Sequence, residues 1–227
     1  MASYLDARSQ QGEWLLRIDN IDPPREDSDA MASFGPMLLA HGLEFDGPII
    51  YQGDRFDHYR RALTKLDTFA CGCSRKQLEI HGGAPHPPPC PNAENQPCIR
   101  HLRAPFDVLW RRDDLPSYHL ACAVDEIEMS ITHVLRGDDL RFADDIQAAL
   151  IRELGTIPPR YASVPVVRQP NGQKLSKQNL APALVESDAR SQLQAALVHL
   201  FPEQPWDGTI SAMLTRATEQ WRRIHEL

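Results

Sequence analysis

Short apolar runs alternate with segments of helical periodicity along this chain of 227 residues, and this alternation limits the folds open to it. The apolar runs at 14–18, 118–124, 130–135 and 164–167 predict buried strands. Apolar residues three and four apart predict helices at 31–43, 57–69, 138–153 and 188–200, and a last one from residue 210. Strands that alternate with helices build an α/β fold. We therefore predict a mainly parallel sheet, which binds its ligands at the carboxyl ends of its strands.

The composition is that of an ordinary globular protein, with 42% hydrophobic and 24% charged residues. The net charge of −7 argues against broad, sequence-independent adhesion to nucleic acid. A local basic cluster is nevertheless present at Arg100, Arg103, Arg111 and Arg112. No apolar run approaches the about 20 residues that cross a bilayer, and the first residues show no secretory signal. We expect a cytoplasmic protein without membrane association.

Soft metal ligands are concentrated between residues 71 and 90. The set is Cys71, Cys73, His86 and Cys90, spaced as C-x-C and then H-x3-C. Three thiolates and one imidazole form a closed tetrahedral site for Zn²⁺. Cys98 is a competitor for the place of His86 or Cys90, His81 is a weaker one, and Cys122 lies in an apolar run that indicates the core. The alternative is a proline-rich loop whose cysteines bind nothing.

Polar side chains stand at the ends of three predicted strands. Asp19 follows the first strand, Tyr118 begins the second and Arg136 ends the third. Each of them alone is explained as surface charge. Their shared placement favours an anionic ligand such as a carboxylate, which a guanidinium binds through two parallel hydrogen bonds.

A second candidate site is the segment NGQKLSK, which begins at Asn171. Asn-Gly predicts a sharp turn, and Lys174, Ser176 and Lys177 follow it closely. Taken alone, this string predicts only a solvated loop beside a helix.

Six segments follow one another along the chain: WLLRIDNIDPPRE, YQGDRFDHYRRAL, CGCSRKQL, SYHLACAVDE, THVLRGDDL and KLSKQNLAPAL. In this order they resemble the catalytic cores of class I glutamyl-tRNA synthetases, and most of all the short paralogues of that family, the glutamyl-Q tRNA(Asp) synthetases. The resemblance implies a Rossmann-type class I aminoacyl-tRNA synthetase core with a small zinc-binding insertion and a helical C-terminal segment. The core would comprise 1–70 and 116–186, the insertion 71–115 and the helical segment 187–227.

The resemblance also implies a glutamate site. Asp19 would meet the α-ammonium group of glutamate, Tyr118 would form a hydrogen bond with the substrate, and Arg136 would pair with a carboxylate. The family usually has glutamate where Asp19 stands, so the reach is one methylene shorter here.

The KLSK segment would be this family's version of the KMSKS loop. Lys174 and Lys177 would be catalytic, and Ser176 and Lys177 would contact the phosphates of ATP, which binds with Mg²⁺. Ammonium groups placed there neutralise the charge that develops as pyrophosphate leaves. In the zinc site of the family, a tyrosine stands at the position of His86.

Two departures from the family are visible. Its first strand and its HIGH-type ATP-binding signature have no counterpart in these residues, so we expect a core that is incomplete at its N-terminus and impaired in adenylation. Either the true start lies upstream of Met1 or the gene has decayed, and the survival of Lys177, Tyr118 and Arg136 favours the first explanation. The stretch between Cys90 and Tyr118 is also shorter than in the family.

The function that the resemblance implies is ATP-dependent activation of glutamate and its transfer to the queuosine base of tRNA(Asp). One alternative is a fragment of an ordinary glutamyl-tRNA synthetase. Another is an inactive zinc-binding protein that binds RNA or a protein partner through its arginine cluster.

Overall fold

The computed structural model describes residues 1–23, 26–79, 89–94, 98–102, 108–169, 171–175 and 183–225. Its helices are α1 (Ala2–Ser9), α2 (Ser28–Ala40), α3 (Phe56–Leu63), α4 (Arg75–Glu79), α5 (Tyr118–Glu128), α6 (Phe142–Glu153), α7 (Ala189–Leu200) and α8 (Ile210–Ile224). Its strands are β1 (Arg17–Ile18), β2 (Ile50–Tyr51), β3 (Thr68–Cys71), β4 (Ile99–Leu102), β5 (Val108–Trp110), β6 (His133–Gly137) and β7 (Arg160–Val164). Short 3-10 turns occur at Gln52–Arg55, Asp138–Leu140 and Glu186–Asp188.

The described strands form two parallel pairs and one antiparallel sheet. β1 pairs with β2, and β6 pairs with β7 from His133↔Arg160 to Gly137↔Val164. β3, β4 and β5 form the antiparallel sheet, in which β3 ends at Cys71. The predicted α/β class and parallel pairing are therefore confirmed, and Cys71, the first clustered cysteine, belongs to the separate antiparallel sheet.

The run at 118–124 is a helix, so the prediction of a strand there is wrong. It forms the first part of α5, and the hydroxyl of Ser117 caps the helix by accepting a hydrogen bond from the backbone N–H of Leu120 at 3.2 Å. All residues from Leu120 to Glu126 are buried. A helical segment buried on every side shows no periodicity, and a short apolar run of this kind cannot be told from a strand by its pattern.

Other predicted elements are present with shifted bounds. α3 ends at Leu63, and Phe69 lies in β3 because it packs with the cysteines. The strand predicted at 164–167 ends at Val164, and Pro165 follows it, a residue that has no N–H to donate. α2 begins earlier than predicted, because the carboxylate of Asp27 accepts hydrogen bonds from its first N–H groups.

Two large hydrophobic cores and a small cluster of Phe69 with the three cysteines lie within the described residues. One joins α3, α5, α6 and β5, and its centre contains Tyr59, Leu109, Leu120 and Leu150. The other joins α1, α7 and α8 beside β6, with Leu5, Leu197, Met213 and Trp221 buried at its centre. Among the helices described, none combines the length and the apolar character that a membrane span requires.

A fully buried carboxylate, Asp125, ties α5 to the first half of the chain. Its oxygens accept hydrogen bonds from Gln52 at 2.8 Å, from Arg55 at 2.7 Å and from the hydroxyl of Tyr59 at 3.1 Å. The Nε atom of Arg17 lies 3.6 Å from the same carboxylate. A buried charge is stable only when it is paired and hydrogen-bonded, and here the partners come from three separate segments.

Replacement of Asp125 by alanine is expected to lower the free energy of unfolding by about 3–5 kcal/mol, because it removes the buried acceptor that Gln52, Arg55 and Tyr59 share. Urea denaturation followed by circular dichroism measures this. The matched control is Asp54→Ala, at an exposed position on the neighbouring 3-10 turn, which should stay within about 0.5 kcal/mol of the wild type. Equal stabilities of the two variants would contradict the role given to Asp125.

Candidate active site

The three residues predicted to bind an anionic substrate lie close together. Asp19 directly follows β1, Tyr118 is the first residue of α5, and Arg136 lies near the carboxyl end of β6. The hydroxyl of Tyr118 donates a hydrogen bond to the sulfur of Cys122 and feels the charges of Arg136 and Asp19. Burial, together with Cys122, raises the pKa of Tyr118 to about 12. The phenol is therefore a neutral hydrogen-bond donor at physiological pH.

Asp19 is held by Arg17, a residue that the sequence prediction missed. The guanidinium of Arg17 contacts the two carboxylate oxygens of Asp19 at 2.7 and 3.4 Å and donates to the sulfur of Cys122 at 3.2 Å. Cys122 is buried, as predicted, but it also joins this site. The spacing of Arg17 and Asp19 could have indicated their contact, because residues two apart lie on the same face of a strand. Tyr118 and Cys122 are four apart and lie on the same face of a helix.

Arg136 is nine-tenths buried and is surrounded by polar groups. Its Nη2 donates to Gln147 at 2.9 Å and lies 3.6 Å from Glu126, and its Nε lies 3.5 Å from Asp144. The ring of Tyr161 lies 5.2 Å from the guanidinium carbon. Within the described part of the chain, the buried Nη1 of Arg136 has no hydrogen-bond partner. A buried, unpaired guanidinium donor is costly unless a ligand satisfies it, and a carboxylate fits it best.

Glu126 contacts the guanidinium of Arg136 from the side of α5. It is buried and accepts a hydrogen bond from the hydroxyl of Tyr161 at 2.8 Å. Burial raises the pKa of Glu126, although Tyr161 and Arg136 both act to lower it. Sequence inspection missed Glu126 and Gln147, because neither residue type nor spacing along a helix reveals a contact with a strand from another part of the fold.

Lys174 lies at the edge of the same region. Its ammonium group forms an ion pair with Asp139, in the 3-10 turn that follows β6. The backbone N–H of Leu175 bonds to the carbonyl of Val167 at 2.8 Å, which closes a hairpin around Gly172, whose φ is +82°. The predicted turn is confirmed. Ser176 and Lys177 lie outside the described residues.

Three of the predicted metal ligands form a compact buried cluster. The sulfur atoms of Cys71, Cys73 and Cys90 all lie within 4.8 Å of one another. The side-chain amide of Asn92 donates to the sulfur of Cys73 at 3.3 Å. Such a trio supplies three corners of a tetrahedral zinc site and leaves one for a fourth ligand. His86 and His81 lie outside the described residues, and Cys98 is described but is not part of the cluster.

The family model for the catalytic domain of class I tRNA synthetases (E and Q) matches residues 1–96 and 99–201 of this chain. A glutamyl-Q tRNA(Asp) synthetase of Pseudomonas fluorescens is 39% identical, over 91% of this chain and 79% of that protein. A protein of the same name from Escherichia coli K12 is 34% identical, over 98% of this chain and 82% of its own length. This chain belongs to the class I tRNA synthetases. The predicted class of enzyme, a ligase, is thereby confirmed.

Solved structures show the same fold. The glutamate-tRNA synthetase of Elizabethkingia anophelis superposes with a TM-score of 0.71 at 17% identity, over 99% of this chain and 66% of that one. A glutamate tRNA ligase from Elizabethkingia meningosepticum, solved with its amino acid, gives a TM-score of 0.64 at 22% identity, over 77% of this chain and 47% of that one. The chain thus spans less than two thirds of either solved protein, and at these identities the likeness shows the fold alone.

Cys122 is expected to resist alkylation in the folded protein. Burial raises the pKa of its thiol to about 12, so the reactive thiolate is scarce at pH 8 and becomes abundant only as the pH approaches that value. Iodoacetamide treatment at pH 8 followed by peptide mass spectrometry should leave Cys122 unmodified, whereas the same treatment in urea should label it. Rapid labelling of native Cys122 at pH 8 would contradict its described environment.

Proposed function

We propose that this protein activates glutamate with ATP and transfers it to the queuosine base of tRNA(Asp). The observation that carries the proposal is the buried Nη1 of Arg136 near Tyr118 and Asp19, which has no hydrogen-bond partner among the described residues. Membership of the tRNA synthetase family supports the activation step. The names of the most similar relatives support the choice of acceptor.

Each polar group has one role in binding the amino acid. Arg136 binds a carboxylate of glutamate through Nη1, while Gln147 and the neighbouring acids keep its other nitrogens in place. Asp19 meets the α-ammonium group, and Arg17 holds the Asp19 carboxylate in position. The hydroxyl of Tyr118, whose one proton is directed at Cys122 in the free protein, turns it to a substrate oxygen when glutamate binds. Together these contacts orient the reacting carboxylate toward the α-phosphorus of ATP.

Adenylation requires positive charge near the triphosphate. Attack of the carboxylate on the α-phosphorus breaks the bond to pyrophosphate, and negative charge accumulates on the departing group. Lys174 and Lys177 neutralise that charge, and Ser176 binds a phosphate oxygen. Mg²⁺ bound with ATP would supply further neutralisation.

The cysteine cluster has a structural role in this proposal. Cys71, Cys73 and Cys90, with His86 as the fourth ligand, would hold Zn²⁺ and cross-link the segment that forms the zinc-binding insertion. The geometry of the thiol trio fits this ion. The metal takes no part in the chemistry of adenylation.

Replacement of Arg136 by methionine is expected to lower kcat/KM for glutamate roughly 100-fold or more in glutamate-dependent ATP–pyrophosphate exchange, because the charge-assisted hydrogen bond from Nη1 to the substrate is lost. Arg136→Lys keeps the charge without the planar fork and should recover only part of the loss. Arg152→Met is the matched control, at an exposed position in the last turn of α6, and should exchange at the wild-type rate. Equal activity of the Arg136 and Arg152 variants would exclude Arg136 from the glutamate site.

The acceptor is tested with two preparations of tRNA(Asp) that differ only in queuosine. Radioactive glutamate should be incorporated into the queuosine-containing tRNA and not into the unmodified one. The label should survive removal of the 3′-terminal nucleoside, since the queuosine base lies elsewhere in the tRNA. Incorporation into a glutamate-specific tRNA instead would favour an ordinary glutamyl-tRNA synthetase activity.

A further inference from the structure

An arginine side chain links the cysteine cluster to the turn that precedes α5, in addition to the β3–β4–β5 sheet that carries Cys71. The Nη2 atom of Arg112 donates a hydrogen bond to the backbone carbonyl of Cys73 at 2.6 Å, in a half-buried position. Cys73 is one of the three clustered cysteines, so this contact joins Arg112 to the backbone of a predicted metal ligand. A guanidinium donor makes a hydrogen bond roughly twice as strong as a neutral one. The position of Arg112 therefore depends on the conformation of the cluster.

Arg112 lies in a turn that is closed by several contacts. The N–H of Arg111 bonds to the carbonyl of Leu115 at 2.8 Å. Asp114 adopts a left-handed conformation with φ of +61°, which an aspartate tolerates better than most residues. Its two carboxylate oxygens accept from the indole of Trp110 and from Arg60, each at 2.9 Å. The turn is therefore held at both of its ends and at its centre.

The same unit places the first residue of α5. The N–H of Ser117 bonds to the carbonyl of Leu109 in β5 at 2.9 Å, and its hydroxyl caps α5 through Leu120. Tyr118 follows Ser117 directly and begins the helix. A rigid path of strand, turn and helix cap thus runs from Arg112 to the phenol that is proposed to bind glutamate.

We propose that Arg112 is a positioning residue, which couples the state of the cysteine cluster to the placement of Tyr118 and so to glutamate affinity. The inference rests on the proposed glutamate site. When the cluster is intact, the carbonyl of Cys73 holds Arg112 and the turn in one position. When the cluster is disrupted, Arg112 loses this acceptor, and the turn that leads to Tyr118 loses one of its anchors. The zinc-binding insertion thereby acts on a reaction whose chemistry does not use the metal.

The first test removes the hydrogen bond and keeps the apolar stem of the side chain. Arg112→Met should raise the KM for glutamate by about fivefold or more, the lower end of typical coupling between sites, with a change in kcat below about twofold. Arg112→Lys keeps one charged donor and should restore most of the affinity. Arg61→Met, at an exposed position on α3, is the matched control and should behave as the wild type. Calorimetric titration of glutamate gives the same comparison without turnover.

The second test is a double-mutant cycle between Arg112 and the cluster. Cys90→Ser should lose bound zinc, measured by mass spectrometry of the metal, and should weaken glutamate binding to a similar extent as Arg112→Met. If Arg112 carries the coupling, the double variant binds glutamate no more weakly than the weaker single variant. Circular dichroism of each variant establishes that it is folded, and zinc withdrawal from the wild type by a chelator replaces Cys90→Ser if that variant is not.

Several results would overturn the proposal. Additive losses in the double variant would mean that the cluster and Arg112 act independently. Loss of zinc in Arg112→Met with unchanged glutamate affinity would reduce Arg112 to a support for the cluster. A wild-type chain that binds glutamate and shows the coupling, but catalyses no exchange, would contradict the proposed adenylation and leave this inference standing. A wild-type chain that binds no glutamate would contradict both.

Discussion

The carboxylate of Asp125 is the contact on which the arrangement of this molecule depends. It is fully buried, and its partners come from β1, from the 3-10 turn after β2 and from α3. No backbone hydrogen bonds of a sheet can join these segments to the helix α5. The carboxylate therefore supplies a directional link, whereas hydrophobic packing alone is non-directional. Arg17 is one of those partners, and the same guanidinium holds Asp19. One buried charge thereby holds α5 against the first half of the chain and also helps to position Asp19 at the candidate active site.

The helix α5 connects the buried Asp125 network to the candidate active site. Tyr118 lies at its first turn and Asp125 two turns later, so the rigid helix sets the position of the phenol relative to the buried network. β6 brings Arg136 to the same region from the other side, where its parallel pairing with β7 fixes its register. Residues distant in the sequence meet because a helix N-terminus and the carboxyl ends of two strands point to one place, as expected for α/β folds.

The sequence predicted those features that depend on residue type and on spacing along the chain. The clustered cysteines, the Asn-Gly turn and the arginine at a strand end were all found in this way. Prediction from the sequence failed for 118–124, since a helix buried on every side shows no periodicity. It also missed Gln147 and Glu126, because their contacts with Arg136 come from tertiary packing between helices and β6, which no local pattern encodes. Arg17 could have been found from its two-residue spacing to Asp19.

The surroundings of Arg136 explain how a buried cation can be kept ready for an anionic ligand. Burial of an isolated guanidinium would be very costly, and Glu126 and Asp144 at about 3.5 Å offset that cost during folding. Neither acid lies close enough to take the place of a substrate carboxylate, and the shortest contact is with the neutral amide of Gln147. The guanidinium is therefore oriented without being saturated. In the proposed glutamate site, this fixed orientation would spare the guanidinium itself from reorienting, whereas a carboxylate would reach the buried Nη1 only after neighbouring groups move.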